Sequence, residues 1–297
     1  TIFLPTRRAA RALHAAILAR LGTGAAILPA IRPIGDVDEA ELLLAPFETP
    51  GERVLLPAAI SPLERQLHLT RLTAAWSSLI HRQLLALPDG APSPVPASAA
   101  DAFHLAGELA RLIDEVETAD LDWQGLNTLV PDNLARYWQV SLDFLKIVSE
   151  AWPAHLAAAG RTDPSVRRDR LIRAEAERLR ATAGDRIVLA AGSTGSIPAT
   201  AHLLATIARL PRGAVILPDL DEGLDAAGWQ AIGGPGEAEA APAHPQYGLR
   251  QLLTAIEVAR DEVEQLGTLP VPIAARRRLV SDAFRPASTT EIWAETP

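Results

Sequence analysis

RIVLAAGSTGSIPATAHLLATIARLPRGAVILPDL, Arg186 to Leu220, is the stretch that decides the fold. Ile187-Val188-Leu189-Ala190-Ala191 is an apolar run bounded by glycine, the signature of a buried strand. Gly192-Ser193-Thr194-Gly195-Ser196 follows as a loop of small polar residues. Ser196 is a candidate helix cap, and Pro198 falls in the first turn, where its missing N–H has no partner to lose. Leu203, Leu204, Ile207 and Leu210 then recur at helical spacing. Pro211-Arg212-Gly213 stops that helix, and Ala214-Val215-Ile216-Leu217 reads as a second strand. A strand–helix–strand unit of this length matches a right-handed parallel crossover. Its first loop lies at the carboxyl end of a strand, where open α/β sheets bind ligands.

Upstream, Thr1-Ile2-Phe3-Leu4 predicts a short strand, Pro5-Thr6 a turn, and Arg7 to Leu21 a helix with Ala10, Leu13, Ile17 and Leu21 on one face. The chain thus begins inside a strand, and further residues are expected before Thr1. Arg7, Arg8 and Arg11 cluster at the first turn of the helix. Cations at a helix N-terminus oppose its dipole, so they suggest an anionic partner; a solvated helix start is the plain alternative. Gly22 to Pro57, rich in Pro and Gly, reads as an extended surface connection. Its acidic run, Asp36 to Glu41, has nothing to fix a metal geometry.

From residue 61 to residue 181 the pattern is helical. Ser61-Pro62-Leu63-Glu64 is a capping box with proline at the first position. The helix it starts reaches about Leu87, with Leu63, Leu67, Leu69, Trp76 and Ile80 on it and with His68 and His81 too far apart to share a metal. Pro88 to Ala97 is a proline-rich linker, and Ser98 with Asp101 opens a helix to about Thr118. Asp114-Glu115 in LIDEVE invites a Walker B reading, but its apolar spacing of three and four belongs to a helix and not to a strand. Leu121 to Gly160 continues helically with aromatic residues at core spacing. Arg161 to Ala181 predicts an arginine-dense helix, started at Asp163-Pro164. It reads by default as solvated and salt-bridged, and alternatively as a phosphate-contacting face through Arg167 and Arg168. After the central unit come a short helix within Asp219–Ile232, a low-complexity loop at Gly233–Ala243, a helix after His244-Pro245-Gln246-Tyr247-Gly248-Leu249, and another over Ala274–Phe284. Ser288 to Trp293 looks like the approach to one more element.

Composition narrows the class. The 297 residues suffice for one large or two ordinary domains, and no apolar run is long enough for a transmembrane helix. The absence of cysteine rules out disulfides and thiolate metal sites in this segment and fits a cytoplasmic location. A net charge of −8 argues against a uniformly basic nucleic-acid binder, so any DNA track must be local. Lys146 is the single lysine, and arginine carries the rest of the positive charge.

The chemistry legible in the sequence is limited. Gly192 to Ser196 has the makings of a phosphate cradle, because backbone N–H groups at a helix start face any anion placed there. The loop lacks the lysine and following hydroxyl of a Walker A motif, so ATP hydrolysis is not expected at it; a plain tight turn is the alternative. Ser193 and Ser196 have no evident base, and His202 is a poor triad partner. No complete catalytic motif is present.

Several stretches together resemble a known family: TIFLPTRRAARAL (1–13), IRPIGDVDEAELL (31–43), ISPLERQLHLTRL (60–72), LVPDNLARYWQVSLDFLKIVSEAWP (129–153), VLAAGSTGSIPATAHLLATIARLPRGAVILPDLD (188–221) and HPQYGLRQLL (244–253). They resemble the alphaproteobacterial form of AddB, the double-strand-break repair subunit that partners AddA in a RecBCD-like helicase–nuclease. The resemblance implies a superfamily 1, RecA-like parallel sheet (1–60 and 182–297) with an all-helical insertion (61–181). It implies DNA ends and single-stranded DNA as ligands and AddA as heterodimer partner. On it, Thr6, Arg7, Arg8 and Arg11 fall in a stretch similar to helicase motif Ia. The family's iron–sulfur cluster and metal-dependent nuclease site lie downstream of this segment, which is expected to hold no cofactor itself. The pattern implies a helicase fold without its motor, scanning DNA and serving as scaffold. A rival reading is an α/β protein that binds a phosphorylated small molecule or nucleotide at Gly192–Ser196.

Overall fold

The computed structural model describes residues 1–22, 26–35, 56–84, 98–123, 135–233 and 240–295. The acidic run at 36–41, the linker at 88–97, the start of the 129–153 stretch and most of the 233–243 loop lie outside them. The chain divides into an α/β unit, Thr1–Arg53 with Leu171–Pro297, and a helical unit, Val54–Arg170.

The α/β unit is built on a four-stranded, all-parallel sheet. Its strands are β1 (Ile2–Leu4), β2 (Ile31–Pro33), β3 (Val188–Ala191) and β4 (Gly213–Ile216), in the order β2-β1-β3-β4. Helix α1 (Arg7–Leu21) connects β1 to β2, and helix α7 (Pro198–Ala208) connects β3 to β4. The order therefore leaves β1 in one direction and β3 in the other, with the two meeting side by side at the centre. Phe3, Val188 and Ala190 supply the sheet's share of the core. Leu203, Leu204 and Ile207 of α7 are fully buried against it, at about 1.5–3 kcal/mol each relative to exposure. Ile172, Ala176 and Leu179, at helical spacing on α6 (Pro164–Thr182), complete the same cluster.

Strand β2 lies within the stretch read as an extended surface connection, Gly22 to Pro57, where the sequence pattern does not predict it. Ile2 N–H donates to Ala30 C=O and Ile34 N–H to Leu4 C=O, both at 2.8 Å, so the chain pairs with β1. Three residues ending in proline give no alternating pattern to read, and Pro33 is tolerated because β2 is an edge strand. Helix α6 starts at Pro164, as the Asp163-Pro164 signal predicts, and Thr162 just before it forms a bridge with Ala59. Helix α10 (Val271–Ala283) begins three residues ahead of the predicted Ala274, with Pro272 in its first turn. The partition between units falls inside α6, at Arg170/Leu171, and not at its C-terminal end. The final segment, Ala287–Glu295, is 3-10 helical.

In the helical unit, α2 (Pro62–Leu84) and α3 (Ala99–Thr118) start at the predicted capping boxes. Ser61 and Glu64 exchange bonds of 3.2 and 3.3 Å, and Ser98 and Asp101 of 3.1 Å each. Helix α4 (Ala135–Lys146) runs through a π turn (Ile147–Ala151) into α5 (Trp152–Ala159), where Pro153 has no N–H to give to the ladder. Leu69, Leu109, Ile113, Val148 and Trp152 form this unit's core. LIDEVE is helical, as its spacing requires, and Asp114 pairs there with Arg65 at 2.9 Å. Arg65 also lies 3.0 Å from Asp163, whose other oxygen accepts from Trp152 Nε1 at 2.7 Å. Burial pushes the Asp163 carboxyl up against the opposing pull of Arg65.

Candidate functional site

The crevice outside the carboxyl ends of β1 and β3 is the topological switch point of the sheet, where this class of sheet binds ligands. Two sequence-predicted groups of residues meet there. The turn after β1 is Pro5-Thr6, and the loop after β3 is Gly192–Ser196. A Cβ on Gly192 would lie 3.6 Å from the Pro5 ring, so the two loops touch. Gly192 has φ +78°, a left-handed conformation that glycine adopts without strain.

Thr6 caps α1, its Oγ1 accepting from Ala9 N–H at 3.1 Å. The first turn of α1 contains no acid, and Arg8 and Arg11 are exposed with no ion pair among the described residues. Arg7 is exposed as well and has an interaction within the chain. Arg8 and Arg11 thus stand near a helix start whose own first turn holds no acid, positioned by β1 at the mouth of the crevice.

The Gly192–Ser196 loop is held from beneath. Gly195 is buried at φ +65°, and a Cβ there would sit 3.2 Å from both methyls of Leu252. Ser193 Oγ accepts from Gly195 N–H at 3.3 Å, a turn closed within the loop. Ser196 is not the cap of α7. Ile197 takes the N-cap position and offers no side-chain bond, while Ser196 packs 3.4 Å from where a Gly248 Cβ would be. With Pro198 at the helix start, the N–H groups of Ala199 and Thr200 belong to an end that no side chain caps. The hydroxyls of Thr194 and Ser196 have no partner among the described residues.

The third contributor is one that composition and periodicity did not single out. Helix α9 (Tyr247–Ile256) packs Gly248 and Leu252 beneath the loop, and the residues just before it tie in the loop after β4. Gln246 accepts from Asp221 N–H and donates to Asp219 C=O, both at 3.0 Å. His244 Nδ1 accepts from Gln246 N–H at 3.1 Å, and its Nε2 lies 2.8 Å from Phe284 C=O. The HPQYGL segment is thus a clamp joining the loops at the carboxyl ends of β3 and β4.

Arg167 and Arg168 belong to the helical unit and are engaged within it. Arg167 Nε donates to Pro57 C=O at 3.1 Å; Arg168 donates to Thr118 at 2.9 Å and to Asp169 at 3.1 Å. His202 lies 3.3 Å from Glu177. His68 lies against His155 with the rings tilted and their centroids 4.0 Å apart, and burial, then the neighbouring His155, lowers its basicity. Among the described residues, no group of three or more His, Cys, Asp or Glu could hold a metal ion, and no helix is long and apolar enough to cross a membrane. Compared with protein-family models, curated proteins and solved structures, the chain matches none.

Proposed function

We propose that this chain is the N-terminal, RecA-like region of an AddB-type subunit, a cytoplasmic helicase fold without its motor. In this reading it binds and scans DNA near ends during double-strand-break repair and scaffolds AddA. The observation that carries the reading is the exposed pair Arg8 and Arg11 on α1, which follows a turn in contact with the Gly192–Ser196 loop at the switch point of a parallel sheet. In a chain of net charge −8, Arg8 and Arg11 have no carboxylate among the described residues, which supports an outside anion as their partner. A sugar–phosphate backbone suits such a start, with phosphates on the arginines and on backbone N–H groups.

Binding of fluorescent single-stranded and duplex-end DNA across a salt series tests this. Affinity should fall steeply with salt, and Arg7→Ala/Arg8→Ala/Arg11→Ala should weaken it and flatten the salt slope. No binding at low salt would overturn the DNA role. A second reading, a phosphorylated small molecule or nucleotide at Gly192–Ser196, is favoured by the uncapped start of α7. It predicts thermal stabilisation by sugar phosphates or nucleotides with no dependence on the three arginines.

A further inference from the structure

Helix α9 has a second working face. Gly248 and Leu252, one turn apart, support the Gly192–Ser196 loop. Arg250, Leu253 and Thr254 lie on the opposite side and line a cavity of about 600 Å³, together with Ala226, Trp229 and Arg260. The Arg260 guanidinium carbon lies 5.0 Å from the centroid of the Trp229 ring, and that of Arg250 lies 6.0 Å from it.

Both arginines are half-buried and fixed in place through Nη1 alone. Arg260 donates to Leu224 C=O at 2.7 Å and Asp221 C=O at 3.3 Å, and Arg250 donates to Trp229 C=O. Nε and Nη2 of each have no acceptor among the described residues, and neither arginine is ion-paired there. Glu257, on the same lining, turns to Arg209 at 3.6 Å, and Asp261 is exposed. Half-desolvated cations with spare donors are unfavourable until an anion arrives. Trp229 and the guanidinium planes supply flat surfaces on which a planar ring stacks.

We propose that this cavity binds a nucleotide, its base against Trp229 and the guanidinium planes and its phosphate on the spare donors of Arg250 and Arg260. The site is separate from the switch-point crevice and stands on its own observations, whatever the outcome there. The ligand is either a free mononucleotide or one unit of a single strand, since the recognition chemistry is the same.

The test titrates dAMP, inorganic phosphate and a short oligothymidylate into the whole chain, following tryptophan fluorescence and thermal stability. Saturable quenching by dAMP or by the oligonucleotide is expected, most of it lost in Trp229→Phe. Ala226→Glu places a carboxylate at an exposed first-turn position of α8 (Ala226–Ala231), where the helix dipole favours it, so the fold is kept. That variant should bind about tenfold more weakly or worse. Arg7→Ala/Arg8→Ala/Arg11→Ala should leave the quenching by dAMP unchanged. Quenching by dAMP supports a mononucleotide, and quenching by the oligonucleotide alone supports a strand. Three results would overturn the proposal: no saturable quenching by either, equal binding of inorganic phosphate and dAMP, or undiminished binding in a folded Ala226→Glu protein.

Discussion

Arginine does two opposite jobs in this molecule, as one site in each unit shows. In the helical unit Arg65 is buried, with Asp114 at 2.9 Å, Asp163 at 3.0 Å and Ala110 C=O at 3.2 Å around one guanidinium. Arg167 and Arg168 are likewise engaged with Pro57, Thr118 and Asp169. In the α/β unit, Arg8 and Arg11 stand exposed at a helix start with no carboxylate among the described residues. The first kind is structure and the second is availability. Arginine density along the sequence does not separate them; the partners do.

The largest effect that should sharpen this contrast comes from Arg65→Ala. Removing one member of a buried ion pair strands the other, at a cost of about 3–5 kcal/mol. Urea denaturation should show that loss, whereas Arg8→Ala/Arg11→Ala should leave the midpoint unchanged or raised by a few tenths of a kcal/mol. Equal losses in both would erase the distinction.

Next is Gly195→Ala, which combines a left-handed backbone with a methyl 3.2 Å from Leu252, for about 2 kcal/mol. It should also loosen the Gly192–Ser196 loop, seen as faster amide exchange there. A silent Gly195→Ala would mean that α9 does not hold the loop.

Smaller effects, opposite in sign, come from two carboxylates. Burial raises Asp163, so the folded state holds its proton more tightly than the unfolded chain does. Stability then falls as pH rises from the ordinary carboxylate value through the raised one, and Asp163→Asn should remove that slope. Asp225 caps α8 through Gly228 N–H at 2.7 Å and pairs with Arg285 at 2.7 Å. The Gly228 N–H first, then Arg285, holds its carboxyl below the ordinary value. Its stabilisation is complete above that value and is lost as pH falls through the depressed one; Asp225→Asn should abolish this acid limb. Acid titrations of the two variants against the parent, followed by circular dichroism, check both signs.

The core of the fold was legible because it is written locally. The apolar runs at Ile2–Leu4 and Val188–Ala191, the helical spacing of Leu203, Leu204 and Ile207, and the capping boxes at Ser61 and Ser98 each specify an element within a few residues. Strand β2 was not legible, since three edge residues ending in Pro33 show no period and exist by pairing with β1. The two halves of the switch-point crevice were each visible as an arginine cluster and a glycine loop. Their meeting through Pro5 and Gly192 was not, because residues so far apart in sequence are joined by the sheet. The clamp of Gln246 on Asp219 and Asp221 escaped for the same reason. So did the pairing of Trp229 with Arg250 and Arg260, which only packing brings together.

The most direct measurement is the salt dependence of single-stranded DNA binding by the parent, by Arg8→Ala/Arg11→Ala and by Arg167→Ala/Arg168→Ala, side by side. The salt slope should be shallower by about 1.4 in the first variant, roughly 0.7 for each single-strand phosphate that is no longer neutralised, and unchanged in the second. An unchanged slope in Arg8→Ala/Arg11→Ala, or a loss carried by Arg167→Ala/Arg168→Ala instead, would contradict it.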